Sequence, residues 1–255
     1  MIETEDLNGV RVLRLAHGKA SALDMELVSA LAEACRRADR DAVRAVVLTG
    51  TGSIFCAGVD LFRIVDGGPP YVRRYLPAFA DLMFALFSLE APLVVAANGH
   101  AIAGGAVLLA AGDYRLMAQG EGRAGYTEHQ VGVPFPPAAL EVIRFGVPAH
   151  AVQDVLYGAE TYPSETARAL GLVDETVAPD RLLDRACAVA ARYATPRRAA
   201  FILTKRLLRA ETLARMRAAE RQHAQAVTEA WCDPAVHETI RVYLARTVRR
   251  SALRT

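Results

Sequence analysis

Val10 to Ala16 (VRVLRLA) alternate apolar and polar side chains, the period-two pattern of a strand with one buried face, and a Leu-Asn-Gly turn precedes them. From Asp24 to Ala38 the rhythm changes. Leu27, Leu31, Ala34 and Cys35 recur at helical spacing, and Asp24 is placed to cap the helix start. Ala45 to Leu48 (AVVL) form a short β-branched apolar run between charged residues and a Thr-Gly-Thr-Gly segment, which predicts a strand buried on both faces. The succession then repeats. A helical stretch ends over Leu86 to Leu89, Pro92 breaks the chain, and Leu93 to Ala97 (LVVAA) predict a second buried strand. The loop Asn98 to Gly105 leads into an apolar helix over Ala106 to Ala111, and Tyr114 to Met117 predict a further strand. Such alternation points to an α/β architecture with ligand chemistry at the strand ends.

Past Pro148 the pattern turns mainly helical. Pro163 and Gly171 bracket one helix, and Val173 to Val177 predict a short strand. Helices are expected over Asp180 to Tyr193, Arg197 to Arg209, Glu211 to Ala230 and Asp233 to Thr247. In the last, Asp233 caps, Pro234 takes the first helical position, and Val236, Ile240, Tyr243 and Thr247 share one stripe. The expected organisation is therefore an α/β core over residues 1–195 followed by a helical region over 196–255. These final helices cannot bury much alone, so they are expected to pack on the core or on a neighbouring subunit.

Composition narrows the function classes. Hydrophobic residues make up 53% and charged residues 23% of the 255, a balance that fills a globular core. No apolar run is long enough to span a bilayer, and the opening MIETEDLNGV lacks the basic-then-apolar pattern of a secretory leader. Cys35, Cys56, Cys187 and Cys232 are scattered, without CxxC pairs or zinc-ligand spacing, which predicts reduced thiols, no metal site and a cytoplasmic protein. The net charge of +2 is uneven: from Pro196 onward 13 Lys and Arg face 5 Asp and Glu. A basic tail suits a phosphate-rich ligand or a solvated helical face. A nucleic-acid role lacks the interleaved aromatics or a binding module.

Two glycine-bearing loops each follow a buried strand: TGTGSIFCAGVDL (Thr49 to Leu61) and ANGHAIAGGAVLL (Ala97 to Leu109). Glycine lets backbone approach a ligand, and two such loops can each aim one N–H at a single oxygen, the requirement of an oxyanion hole. Neither loop is a P-loop, because no Gly-Lys-Ser/Thr follows, and the GxGxxG dinucleotide fingerprint is absent.

FCAGVDL, NGHAIAGG, GDYRLMA and GLVDETV resemble, in order and spacing, the crotonase (enoyl-CoA hydratase/isomerase) superfamily, from about Leu13 to Val177 and more loosely through the tail. The resemblance implies a crotonase-type spiral of ββα units with a helical C-terminal trimerisation region, and a homotrimer or dimer of trimers. It also implies an acyl-CoA thioester substrate, with coenzyme A entering only as part of that substrate. The carbonyl is polarised by two backbone N–H groups, which fall on Val59 and Gly104. HGKASALD resembles the loop that wraps the adenine through backbone carbonyls, which assigns Lys19, Ala20 and Ala22 to coenzyme A; the resemblance also assigns Ala57, in FCAGVDL, to that ligand. Lys205 is expected to reach a phosphate of the same ligand.

Hydratases of the superfamily carry two glutamates. The first lies three residues after the oxyanion glycine, where this chain has Val107, and the second corresponds to Glu128 in GYTEHQVGVP. The chain also has Pro134 to Ala139 (PFPPAA) where hydratases continue with a glycine-rich run. One glutamate suits proton transfer from C2 to C4 of a 3-enoyl-CoA, the Δ3-to-Δ2 isomerisation of fatty-acid metabolism. The alternatives are an enoyl-CoA hydratase with one glutamate and a non-catalytic acyl-CoA carrier. His129 and His100 flank the site in sequence and are read as structural, although His129 can relay a proton. Asp60 and Asp113 are read as backbone-bonding residues, and Cys56 as a core side chain. Leu61, Tyr71, Leu82 and Leu86 are candidate pocket residues.

Overall fold

The computed structural model describes residues 1–194 and 197–252, the side chains of 248–252 excepted. Strands β1 (Ile2–Leu7) and β2 (Val10–Leu15) form an antiparallel hairpin. Its two-residue turn places Asn8 and Gly9 at φ 52° and 83°, the positive values such a turn demands. The alternation over Val10 to Ala16 marks β2 correctly, but β1 escapes the pattern. It is an edge strand with its middle residues exposed, so no buried face disciplines its sequence. Helix α1 (Met25–Arg40) begins at Asp24, whose carboxylate accepts the Leu27 N–H at 2.8 Å.

The chain then winds in ββα turns. β3 (Ala45–Gly50), β4 (Ile54–Cys56) and α2 (Leu61–Ser88) make the first. β5 (Leu93–Ala97), β6 (His100–Ile102) and α3 (Gly104–Ala110) make the second. β7 (Tyr114–Ala118) and β8 (Arg123–Gly125) start the third, which continues through a 3-10 turn at Glu128–Val131 into α4 (Pro137–Gly146). Each turn lays one strand on each of two sheets, β3-β5-β7 in one and β4-β6-β8 in the other, all parallel. This is the anticipated spiral. The three-residue strands β4 and β6 lie inside segments that read as glycine loops, too short to show any period. α2 bends at Gly68 (φ 58°, ψ −160°), and Pro69 and Pro70 begin its second segment.

After α5 (Val152–Tyr157), β9 (Tyr162–Pro163), α6 (Ser164–Ala169) and β10 (Glu175–Val177), helix α7 (Leu182–Tyr193) covers one face of the larger sheet. Its Leu182, Ala186, Val189 and Ala190 pack with Val47, Val94 and Leu116, while Val46, Leu48 and Val95 join the main core on the other face. Coverage on both sides is why Ala45 to Leu48 and Leu93 to Ala97 are uninterrupted apolar runs.

The two helices expected over Arg197 to Ala230 are one, α8 (Arg198–Trp231), because no Gly or Pro interrupts that stretch. α9 (Pro234–Ala252) follows, with Asp233 accepting the Ala235 N–H at 2.7 Å. The expected boundary between residues 195 and 196 lies outside the described residues. α8 packs on α2 and α4 of the same chain, and α9 crosses α2 and the 3-10 turn.

Candidate functional site

The two glycine loops press against each other with no room for a side chain between them. Gly58 has φ 86°, and a Cβ there would lie 2.8 Å from the Ile102 carbonyl oxygen and 3.1 Å from the Gly104 nitrogen. A Cβ on Gly105 would lie 2.2 Å from the Cys56 carbonyl oxygen. Beyond Gly58, the chain is bridged to Leu23: the Leu23 N–H donates to the Gly58 oxygen (2.8 Å), and the Asp60 N–H donates to the Leu23 oxygen (3.1 Å). These bonds bracket Val59, so its own N–H faces the opposite side, where Val59 lines a cavity. Gly104, the first residue of α3, lines the same cavity, and its N–H has no intrahelical acceptor. Neither amide donates to a protein acceptor among the described residues. Ala103, just before, takes φ 50°, ψ −119°, a strained setting for a residue with a Cβ; its N–H is held by the Gly125 oxygen at 2.8 Å.

Glu128 opens the 3-10 turn after β8 and lines this cavity. Only 7% of the residue is exposed, and its Oε2 has no hydrogen-bond partner. Burial pushes the carboxyl up to about 7, against the opposing pull of the Glu128 and Thr127 backbone N–H groups. Val107 contributes to the same wall and is buried. Two amide donors, one free carboxylate oxygen and an otherwise largely apolar lining can stabilise a developing oxyanion and move a proton beside it.

The remaining candidates separate. Ala57 lines the cavity, and its N–H donates to the Ala20 oxygen at 3.0 Å, which seats the 19–22 segment beside the site. Lys19 is exposed, and Ala20 and Ala22 are half-buried. Lys205 is not at the cavity. Its ammonium is buried, 2.6 Å from Asp113 and 2.8 Å from the Ala91 oxygen, so its reading as a phosphate ligand is corrected: it neutralises an internal carboxylate. Asp113 also accepts the Leu93 N–H (2.7 Å) and pairs with Arg209 (2.7 Å), and Asp60 caps α2 through the Arg63 N–H (3.1 Å). His129 is exposed and packs against Phe135 and Tyr157, and His100 lies on β6 outside the cavity lining. The Cys56 thiol is buried, accepts the Gly58 N–H at 3.5 Å and is pushed up to about 12 by burial.

Of the pocket candidates, Leu61 lines the cavity, whereas Tyr71, Leu82 and Leu86 do not. The Tyr71 hydroxyl instead accepts the Met25 N–H at 3.1 Å, and Leu82 and Leu86 are buried in the core. Sequence reasoning missed Phe79, Trp231 and Tyr243. Trp231 ends α8, is buried, and donates its indole N–H to the Pro134 oxygen at 2.9 Å. Its being the only tryptophan in the chain was the one available signal. Among the described residues no group of three His, Cys, Asp or Glu could hold a metal ion, and no helix is long and apolar enough to cross a membrane.

A sequence family described as enoyl-CoA hydratase/isomerase matches residues 5–247. The chain is 34% identical to an enoyl-CoA hydratase from Mycobacterium marinum, across 88% of this chain and 98% of that one, with a TM-score of 0.80. Mitochondrial enoyl-CoA delta isomerase 1 of Rattus norvegicus is 26% identical over 252 residues, 96% of this chain and 86% of the relative. Human mitochondrial delta3-delta2-enoyl-CoA isomerase shares the fold, with a TM-score of 0.92 over 98% of each chain at 24% identity.

Proposed function

Because the chain belongs to the enoyl-CoA hydratase/isomerase family, we propose that it is an isomerase that moves the double bond of a 3-enoyl-CoA from C3–C4 to C2–C3. The Glu128 carboxylate removes a proton from C2, and the electron pair delocalises onto the thioester oxygen. The N–H groups of Val59 and Gly104 stabilise that oxygen as it gains charge. Protonated Glu128 then returns the proton to C4 as the C2–C3 double bond forms, which leaves the carboxylate as it began. No other reactant is consumed. The cavity surrounds the acyl group, and the segment Lys19, Ala20, Ala22 with Ala57 receives the nucleotide end of coenzyme A.

The observation that carries this reading is that Glu128 is the one carboxylate among the described residues lining the cavity, with a free oxygen and a pKa raised to about 7. A base poised near the working pH suits reversible transfer between two carbons. Val107, a hydrocarbon, cannot activate the water that addition to a double bond requires.

The test compares 3-enoyl-CoA with 2-enoyl-CoA thioesters over several acyl lengths, followed by the absorbance of the conjugated enoyl thioester. A gain of conjugation from the 3-enoyl substrate, with slow hydration of the 2-enoyl one, is expected. Hydration without isomerisation would replace this reading with a hydratase. Acyl-CoA binding without turnover, or without exchange of α-protons into deuterated water, would leave a carrier.

A further inference from the structure

We propose that Leu23 is a positioning residue that sets both amide donors and couples them to the segment receiving the nucleotide end of coenzyme A. The inference rests on the isomerase reading above. Leu23 is fully buried. Its backbone brackets Val59 through the bonds to Gly58 (2.8 Å) and Asp60 (3.1 Å), so the direction of the Val59 N–H follows the placement of Leu23. Its side chain reaches the other donor. The Leu23 Cδ1 lies 2.9 Å from where a Cβ on Gly104 would stand, and the Val59 nitrogen lies 3.6 Å from that same point. One residue therefore supports both sides of the gap between the donors, one by hydrogen bonds and one by packing.

On its other side Leu23 is tied to the loop from His17 to Asp24. His17 Nε2 and Asp24 Oδ2 close the loop at 2.6 Å, and the Ser21 N–H donates to the His17 oxygen at 2.9 Å. Asp24 Oδ1 accepts the Leu27 N–H at 2.8 Å, which locks the loop's end to α1. Ser21 takes φ 42°, a turn conformation uncommon for a residue with a side chain. Between these ties, Gly18, Lys19, Ala20 and Ala22 are the accessible positions, and Ala22 adjoins Leu23. A nucleotide that settles on this segment settles Leu23, and through it the donors. Binding energy from the remote part of the substrate is then expressed in the chemical step, which appears in kcat as well as KM.

The experiment measures kcat and KM for wild type, L23A and L23V on a 3-enoyl-CoA and on the same acyl group carried by N-acetylcysteamine, which lacks the nucleotide. In wild type, removing the nucleotide lowers kcat roughly tenfold, the scale of a small misplacement of reacting groups. In L23A, kcat on the CoA thioester falls roughly to the truncated-substrate level while KM stays within about threefold, so the contrast between the two thioesters disappears. L23V, the milder change, keeps part of the contrast and serves if L23A does not fold. A wild-type kcat in these variants, or an equal fall on both thioesters, overturns the proposal. A second measurement does not depend on turnover: free coenzyme A shifts the Val59 and Gly104 amide resonances of wild type and leaves those of L23V less moved. If the wild-type amides do not respond to coenzyme A, the coupling is absent. If they respond but no 3-enoyl-CoA is turned over, the isomerase reading fails and the coupling stands.

Discussion

Glu128 is a buried acid and Asp113 a half-buried one, and their surroundings are opposite. Asp113 meets Lys205 at 2.6 Å, Arg209 at 2.7 Å and the Leu93 N–H at 2.7 Å, so its charge is answered from three directions. Arg209 is itself held by the Phe87 oxygen (2.9 Å) and the Ala111 oxygen (3.1 Å), with its guanidinium 4.3 Å from the centre of the Phe87 ring. Glu128 has no cationic partner among the described residues, and one of its oxygens bonds nothing. The half-buried acid with its partners in place ties α8 to the spiral. A buried acid without them holds its proton to about neutral pH and is available for chemistry.

The largest expected effect separates the two acids by function. Glu128→Gln should lower kcat by about 10³-fold or more while acyl-CoA affinity changes little, as stopped-flow and equilibrium titration would show. Retained turnover would remove Glu128 from the mechanism. Asp113→Ala should do the reverse. It leaves the Lys205 and Arg209 charges buried and unanswered, at a cost of about 4 kcal/mol in urea unfolding, with kcat per folded molecule largely kept.

The Glu128 carboxyl titrates near 7 in the fold against an ordinary 4.5, so between those values the folded state binds more protons than the unfolded chain. Its contribution to stability therefore declines as pH rises through that window and stays lost above it. Glu128→Gln should be the more stable protein at pH 8, by about 3 kcal/mol, and the advantage should vanish near pH 4.5. The wild-type kcat/KM should rise through a pH of about 7 as the base ionises. A variant less stable than wild type at pH 8 would contradict the unpaired state of this carboxylate.

The smallest effect tests the corrected residue. Burial holds the Lys205 ammonium down to about 8, with Asp113 resisting the fall. Lys205→Met should cost about 2 kcal/mol through the lost charged hydrogen bonds and leave KM for CoA thioesters unchanged. A several-fold rise in KM with stability intact would return Lys205 to the ligand.

Much of the frame was legible along the chain. β3 and β5 are buried on both faces, so Ala45 to Leu48 and Leu93 to Ala97 are apolar runs, and Asp24 marked the start of α1 because its carboxylate accepts a first-turn N–H that has no partner within the helix. β1 was not legible because its exposed edge imposes no pattern, and β4 and β6 were not because three residues cannot show a period. Within the site, the glycine loops and Glu128 were marked by motif. Trp231 and Tyr243 were not, since they arrive from helices about a hundred residues downstream.

The order of strands, the two glycine loops, a valine at 107 and a glutamate at 128 are properties of the chain read in one dimension. Whether that glutamate is an ordinary surface acid or a base near neutral pH depends on desolvation, and desolvation depends on what covers it. The covering comes from α3, α8 and α9, brought together only when the spiral closes and the C-terminal helices fold back over it. For the same reason Lys205, a surface lysine by composition, becomes an internal counter-ion once α8 docks.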